Sequence, residues 1–180
     1  MKHFFNTLPN PIVNQLEDLT KNPRFPWFWL YDSTNYVTSE HNDSKSKSQS
    51  FYHILINEYE PISSMTGLFE SALHCIADKC DARVSDIYRA RLGLCYPHGK
   101  FVLHHEPHID YNFDHTTALY YVNDSDGDTF FFDKDNNIIH RETPLKGKLI
   151  LFDGKEIHAS SSPSEGIRIA MNINFKPRIS

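Results

Sequence analysis

The sequence predicts an α+β fold in which N-terminal helices support a β-sandwich or barrel. Helical spacing of apolar residues occurs only in the first half of the chain, whereas from about residue 87 they alternate or form short runs. Aromatic residues are abundant, with 13 Phe, 9 Tyr and 2 Trp, and such side chains pack well on pleated sheets. Helices followed by a run of strands are typical of α+β domains. We therefore expect one domain over residues 1–180, with helical support and a variable loop in 1–86 and the β core in 87–176.

Two helices are predicted in the first half of the chain. Asn10 is suited to cap the first helix, with Pro11 in its first turn. The apolar face of this helix would contain Ile12, Leu16 and Leu19. Ser63 or Ser64 is expected to open the second helix. Its apolar stripe, which we interpret as core packing, consists of Met65, Leu68, Phe69, Ala72, Leu73 and Ile76.

Two segments between these helices have unusual composition. Residues 39–50 are rich in Ser, Lys and Asn, and we interpret them as a surface loop, with a lid over the functional site as the alternative. The aromatic block PWFWLYD contains Trp27 and Trp29. Core packing is the favoured interpretation of these two rings, and an aromatic wall facing a substrate is the alternative.

Six segments in the second half are predicted to be strands. They are short, rich in aromatic and branched residues, and separated by turn residues; their sequences are RARLGLCY, HHEPHIDY, TTALYYV, DTFFFD, GKLILFD and IRIAMNINF. NDSDGD, with Gly127, is interpreted as a hairpin turn. Its acidic residues could also indicate calcium, but Val122 stands where a further oxygen ligand would be needed.

The last predicted strand has two faces of different character. One face is apolar and is expected to be covered by the helices; it consists of Ile167, Ile169, Met171, Ile173 and Phe175. Arg168, Ala170, Asn172 and Asn174 share the other face. An arginine surrounded by small and polar residues suits the lining of a ligand cavity. The two asparagines would line that cavity or satisfy backbone groups, and the sequence does not separate these roles.

Composition and charge exclude several classes of protein. A net charge of −5 gives no reason to expect a polyanionic partner. No stretch is long and apolar enough to span a bilayer, and the first residues lack a secretory signal, so a soluble cytoplasmic protein is expected. Cys75, Cys80 and Cys95 lack CxxC spacing, and we interpret them as reduced thiols and not as disulfides or zinc ligands.

A metal site is the strongest chemical hypothesis. His108 and Asp110 are two residues apart, so on an extended strand their side chains project from the same face. His158, which follows another predicted strand, is the best candidate for a distant third ligand. Two histidines and one carboxylate form the facial triad of non-haem iron(II) oxygenases, which leaves positions open on the metal. His104, His105 and His115 are interpreted as loop and strand-edge residues, with hydrogen bonds to the ligands as a minority role.

Arg168 adds a second, independent part to this hypothesis. It follows His158 by ten positions, and its planar, permanently charged guanidinium suits two-point contact with a carboxylate. We therefore expect a carboxylate ligand close to the metal.

The ordered motifs resemble a known family. Tyr96-Pro97, His108-x-Asp110, the YYVN segment, Gly127-Asp128-Thr129, His158 and Arg168 stand in the order found in the prolyl-4-hydroxylase-like 2-oxoglutarate oxygenases. The segments PHIDY, YYVNDSDGDTFFFD and HASSSP are especially similar to the small forms in marine phage and bacterial genomes. The similarity is strong over residues 87–176 and looser near Phe25.

The resemblance implies a fold, cofactors and site residues. The implied fold is a double-stranded β-helix, a form of jelly roll, with N-terminal helices packed on its major sheet. Fe(II) is implied at His108, Asp110 and His158, and the distal carboxylate of 2-oxoglutarate at Arg168. Tyr121 and Tyr96 are implied as further contacts of that cosubstrate. With O2 as co-reactant, the implied reaction is hydroxylation of a substrate C–H bond, with release of succinate and CO2.

The substrate stays open at this point. A peptidyl residue such as proline, or an amino acid, is the first hypothesis, and another small molecule is the alternative. A nucleobase is disfavoured, because that branch resembles a pattern with a second arginine where this chain has Asn174. A non-catalytic jelly-roll module that binds a metal or ligand is the alternative from another class.

Overall fold

The computed structural model describes residues 1–30, 49–97 and 103–176. The predicted loop at 39–50 therefore lies, apart from its last two residues, outside the described part of the chain. The helices are α1 (Asn10–Lys21) and α2 (Thr66–Lys79), followed by a short 3-10 helix at Val84–Asp86. The strands are β1 (Lys2–Phe4), β2 (Phe28–Leu30), β3 (Ser50–Asn57), β4 (Glu60–Pro61), β5 (Ile87–Cys95), β6 (Thr116–Tyr121), β7 (Thr129–Phe132), β8 (Ile138–Glu142), β9 (Leu149–Asp153), β10 (Ile157–Ser160) and β11 (Arg168–Phe175).

These strands form two antiparallel sheets. The major sheet has eight strands in the order β1-β9-β6-β11-β5-β3-β2, with β4 paired to β3. The minor sheet has three strands in the order β10-β7-β8. The first 86 residues thus contribute strands as well as helices to the major sheet.

The two faces of the major sheet have different roles. One face packs against the helices, and its core includes Leu16, Phe69 and Ile76 from the helical side and Ile169 and Met171 from β11. On the other face a smaller core, which includes residues of β6, β9 and β11, packs against Phe131 of the minor sheet. Two facing antiparallel sheets with helices on the outer side of the larger one are a double-stranded β-helix, so the predicted fold class is confirmed.

The predicted helices are present, but their first residues were wrong. Asn10 is already helical and Pro9 occupies the N-cap position, without a side-chain hydrogen bond. The second helix begins at Thr66 with Met65 at its N-cap position, and the Ser63 hydroxyl accepts a hydrogen bond from the backbone N–H of Met65 in the turn before it. Its stripe is buried as predicted except for Met65, which is partly buried, and Leu68, which is 50 % exposed.

The segment HHEPHIDY does not form the predicted strand. Its backbone runs beside β10, where His105 N–H donates to Ser160 O and His108 forms an isolated bridge with His158. Pro107 lacks the N–H that a continuous ladder needs. The extended pairing therefore stops after a few hydrogen bonds, but it still places His108 beside His158.

The NDSDGD segment is a crossover and not the predicted hairpin. It joins β6 of the major sheet to β7 of the minor sheet, and these two strands are not hydrogen-bonded to each other. Gly127 allows a close approach at this crossover. A Cβ atom there would lie 2.8 Å from Ser161 O and 3.1 Å from Arg168 Cδ.

The two tryptophans of the aromatic block differ in environment. Trp27 packs against the main core, as predicted. Trp29 is 55 % exposed on β2, so core packing was wrong for this ring. No helix in the described residues is long and apolar enough to cross a membrane. The three cysteines are free thiols, and Cys95 is buried.

Candidate active site

The fold brings the three predicted metal ligands together. One ligand atom each from His108, Asp110 and His158 lies within 4.8 Å of the other two. The imidazole centroids of His108 and His158 are 4.9 Å apart, because the two residues are paired across the isolated bridge. Asp110 lies two residues after His108, and its carboxylate converges with the two imidazoles.

Hydrogen bonds fix which nitrogen each histidine can offer to a metal. His108 Nδ1 lies 3.0 Å from the backbone oxygen of Glu106, and His158 Nδ1 lies 2.9 Å from that of Glu156. A carbonyl oxygen can only accept, so each Nδ1 carries the hydrogen. The lone pair then resides on Nε2 of each ring, which is the state required of a metal ligand.

Three side chains of the major sheet hold the Asp110 carboxylate. Arg89 Nη2 donates to Oδ1 over 3.0 Å. Asn172 and Asn174 donate their amide hydrogens to Oδ2 over 3.0 and 2.8 Å. Asn174 also accepts from Arg89 Nε at 3.1 Å, which closes the network. Both asparagines therefore position the carboxylate, a role the sequence left unassigned.

The electrostatics of this cluster favour the protonation states that bind a cation. Burial raises the pKa of the Asp110 carboxyl, but the Arg89 guanidinium, followed by His158 and His108, holds it well below its usual range. Burial, followed by the proximity of His158, lowers the pKa of His108 to about 4. A carboxylate and a neutral imidazole are thus present together at neutral pH.

A cavity of about 70 Å³ opens beside these residues, between the two sheets. His108 and His158 line it on one side. Its other polar lining comes from Ser50, Arg91, Thr129, Ser160, Arg168 and Asn172. Among the described residues no acidic side chain lines this cavity, so its walls carry positive charge.

Arg168 lies in this cavity with an unused hydrogen-bond donor. The residue is 5 % exposed, and Nη2 donates to the Thr129 hydroxyl over 3.0 Å. Its Nε is buried and has no partner among the described residues. An unpaired buried donor on a guanidinium is costly, unless an anionic ligand accepts from it.

Tyr121 acts on Arg168 indirectly. Its hydroxyl donates to the same Thr129 oxygen over 2.9 Å, and the guanidinium carbon lies 5.7 Å from the centre of its ring. Burial raises the pKa of Tyr121 to about 12, so the phenol stays protonated and remains a donor. Thr129 thereby receives two hydrogen bonds and orients the arginine; sequence reasoning missed this residue.

The remaining predicted residues lie around the site. Tyr96 follows β5, and its ring lies 5.9 Å from that of Phe51. Cys95, one residue earlier, lines the cavity. A contact between Tyr96 and the cosubstrate stays a prediction. His105 is hydrogen-bonded to Ser160 and Ser162. Neither it nor His104 nor His115 belongs to the converging group of ligand atoms.

Two arginines of β5 were not predicted to take part in the site. Arg89 and Arg91 alternate with the core residues Ala90 and Leu92, so they share the face that looks toward the cavity. Burial, followed by the like charge of Arg89, lowers the pKa of Arg91 to about 10. The alternation in RARLGLCY was a usable signal, since two charges on the inner face of a central strand need partners.

A family model matches the second half of the chain. Residues 93–176 match the sequence profile of the 2OG-Fe(II) oxygenase superfamily. This segment contains the three candidate ligands and Arg168. No curated protein sequence matches the chain significantly.

Solved structures share the fold at low sequence identity. A prolyl-4-hydroxylase from Pseudomonas putida is 17 % identical, with a TM-score of 0.64 over 98 % of this chain and 92 % of that one. A prolyl hydroxylase from Trichoplax adhaerens, in complex with a peptide of hypoxia inducible factor, is 14 % identical, with a TM-score of 0.62 over 97 % and 80 %.

A third similar structure comes from Paramecium Bursaria Chlorella virus-1. This viral collagen prolyl hydroxylase, solved as a 2OG complex, is 12 % identical, with a TM-score of 0.53 over 98 % of this chain and 96 % of that one. The family match over residues 93–176 and the fold shared with solved prolyl hydroxylases support a 2-oxoglutarate-dependent dioxygenase that uses Fe(II), 2-oxoglutarate and O2.

Proposed function

We propose that His108, Asp110 and His158 hold the Fe(II), and that Arg168 binds the distal carboxylate of 2-oxoglutarate. The enzyme then hydroxylates a C–H bond of a peptidyl residue such as proline, or of an amino acid. The observation that carries this proposal is the buried Nε of Arg168, which has no partner in the described part of the chain, on a side chain that lines the same cavity as the histidine ligands.

The donor set is compatible with iron(II). Two imidazole nitrogens and one carboxylate oxygen occupy one side of a metal and leave the other positions to a chelating cosubstrate and O2. When bound, the iron and 2-oxoglutarate supply the oxidant for the C–H bond. The protein positions each ligand through a second hydrogen bond, from His108 to Glu106, from His158 to Glu156, and to Asp110 from β5 and β11.

The cavity walls favour an anionic cosubstrate. Arg168 offers a permanent charge and a donor without a partner in residues 1–30, 49–97 and 103–176, and Thr129 and Tyr121 keep its plane in one orientation. Phe152 and Leu119 add apolar surface to the lining, which limits the access of water. A low-dielectric site strengthens the attraction between the guanidinium and a carboxylate.

The similar folds include both prolyl hydroxylases and enzymes of nogalamycin biosynthesis, and the prolyl hydroxylases are the basis for proposing an amino-acid or peptide substrate. The solved relatives include prolyl hydroxylases, one of which binds a peptide. A nucleobase substrate receives no such support, because Asn174, which stands where a second arginine would be expected, is committed to Asp110 and Arg89. The triad and Arg168 are intact, so there is no need to invoke loss of chemistry, and a non-catalytic binding module is left as the alternative for experiment to exclude.

An anaerobic titration of the metal-free protein with Fe(II) and 2-oxoglutarate tests the proposal. A weak visible charge-transfer band is expected only when both are present. Arg168→Ala should abolish the band at moderate 2-oxoglutarate while iron is still bound, and Arg83→Ala, at an 82 % exposed side chain, should keep it. Iron binding without any band in the wild-type protein would favour the binding-module alternative.

A further inference from the structure

The cavity wall that borders Asp110 contains a second polar pair. Arg91 on β5 and Asn172 on β11 are direct neighbours in the antiparallel register, and both side chains line the cavity. Neither is needed to bind 2-oxoglutarate in the proposed site. Arg168 is paired with Cys95, four residues further along the strand, which corresponds to roughly 13 Å of strand between the α-carbons of Arg168 and Asn172.

Arg91 carries a positive charge with an unsatisfied donor. Its Nε is buried and has no hydrogen-bond partner among the described residues. The nearby Asp110 carboxylate is already held by Arg89 and by the two asparagines. Because the described cavity lining contains no carboxylate, the guanidinium of Arg91 has no protein anion of its own there. A buried arginine in this position is stabilised when a ligand supplies a carboxylate.

Asn172 has an acceptor that lacks a partner in the described residues, whereas Arg91 has a donor that lacks one. Asn172 Nδ2 donates to Asp110, which fixes the orientation of the amide. Its Oδ1 is buried and has no partner among the described residues. This oxygen can only accept, so a matching ligand must present an N–H or O–H group there.

The wall beside this pair leaves space for a ligand. Gly93 follows Arg91 on the same face of β5 and also lines the cavity. A Cβ atom built at Gly93 would meet nothing within 4 Å. The cavity therefore has open volume beside a cationic donor and an acceptor that the described chain leaves without partners, close to the residues proposed to hold the iron.

We infer that Arg91 and Asn172 form the substrate subsite, and that the substrate is a free α-amino or imino acid. Arg91 binds its carboxylate and Asn172 Oδ1 accepts a hydrogen bond from its ammonium group. This inference rests on the proposed function and decides between its two substrate classes, since an internal peptide residue has no carboxylate to offer. The carboxylate of a chain-terminal residue shares the same chemistry and is separated by the experiment.

Calorimetric titration with the twenty free L-amino acids tests the subsite on the full chain, with Mn(II) and 2-oxoglutarate present and again without them. Each amino acid that binds is compared with its carboxamide, its N-acetyl derivative and a dipeptide that ends in it. We expect at least one free amino acid to bind, with a loss of roughly 100-fold for the carboxamide and roughly 10-fold for the N-acetyl form. Arg91→Gln should bind the free amino acid as weakly as the wild-type protein binds its carboxamide. Arg83→Gln should bind the free amino acid with the wild-type affinity.

Structural damage by the substitution can be separated from loss of the subsite. Arg91→Lys keeps the charge and should retain part of the affinity, and if Arg91→Gln does not fold, the acid and carboxamide comparison on the wild-type protein decides. Equal binding of acid and carboxamide, tighter binding of the dipeptide, or binding only of a peptide with both ends blocked would overturn the inference.

The charge-transfer band reports on the iron and 2-oxoglutarate site separately. A band without carboxylate-dependent binding refutes only the subsite, and carboxylate-dependent binding without a band refutes only the oxygenase site.

Discussion

Arg89 and Asp110 form a buried ion pair directly behind the proposed metal site. Nη2 of the arginine lies 3.0 Å from Oδ1 of the carboxylate, and both side chains are 4 % exposed. A buried carboxylate without a partner would be protonated, since burial raises its pKa. The arginine therefore keeps Asp110 anionic and oriented, although it is not itself a metal ligand.

Arg89→Gln is expected to weaken metal binding without removing a ligand. Loss of the guanidinium raises the pKa of Asp110 and frees its rotation, so affinity for Fe(II) should fall roughly 10- to 100-fold. The metal-free variant should also lose about 3–5 kcal/mol of stability, because one buried charge remains unpaired. Anaerobic metal titration and denaturant unfolding measure the two effects. Arg83→Gln is the matched control, and an unchanged affinity in Arg89→Gln would show that the ion pair has no role in metal binding.

His158→Ala is expected to lose the metal. Removal of one of three ligands leaves too few donors to compete with water, so the metal content of the purified variant should fall below about a tenth of the wild-type value. Elemental analysis after loading with Fe(II) and desalting measures this. His74→Ala, at a side chain 64 % exposed on α2, serves as control. Full metal content in His158→Ala would exclude the proposed triad.

Thr129→Val is expected to impair 2-oxoglutarate binding and spare the metal. The hydroxyl of Thr129 accepts from both Tyr121 and Arg168, and valine has nearly the same shape but cannot accept. Each orphaned donor costs about 1–3 kcal/mol, and the arginine loses its orientation, so the KM for 2-oxoglutarate should rise about tenfold or more. Iron content should stay constant. Equal 2-oxoglutarate affinity would mean that strand packing alone orients Arg168.

Glu142 gives the stability of the protein a defined pH dependence. Its buried carboxylate accepts from His3 and His140 over 2.8 and 2.9 Å and pairs with Lys148. Burial alone raises the pKa of Glu142, but the hydrogen bonds from Lys148, His140 and His3 lower it from 4.5 to about 2. A carboxyl whose pKa is lower in the folded state stabilises the fold above its unfolded pKa, and this contribution is lost as the pH falls through the folded value.

Glu142→Gln should therefore destabilise the protein at neutral pH but not in strong acid. A loss of roughly 1–3 kcal/mol is expected at pH 7, and the difference from wild type should shrink between pH 4.5 and about 2. Denaturant unfolding across this pH range measures the difference, with Glu165→Gln at an exposed position as control. A difference that stays constant with pH would show that packing and not charge causes it.

The sequence points to the proposed ligands more directly than to the residues that support them. The two-residue spacing of His108 and Asp110 is a local pattern, and a local pattern can be recognised without the fold. Arg89 lies 21 residues before its partner, and only the pairing of β5 with β11 brings it beside Asn174. Such contacts depend on the order of strands in the sheet, which turn residues and apolar spacing do not encode.

The crossover after β6 shows the same limit. NDSDGD has the composition of a tight turn, and the chain does change direction there. Turn residues specify a reversal of direction, but they do not specify which sheet receives the next strand. The face assignment of β11 succeeded because strand periodicity is local: Ile169 and Met171 join the core with the helices, and Arg168 and Asn172 line the cavity.

The position of the three ligand side chains between the layers has a mechanical consequence. His158 belongs to the minor sheet and His108 is bridged to it, whereas Asp110 is anchored to β5 and β11 of the major sheet. An ion coordinated by all three would link the minor sheet to the major sheet. The free energy of coordination would then oppose their separation, and amide hydrogen exchange in β7, β8 and β10 should slow on metal loading while α1 and α2 remain unaffected.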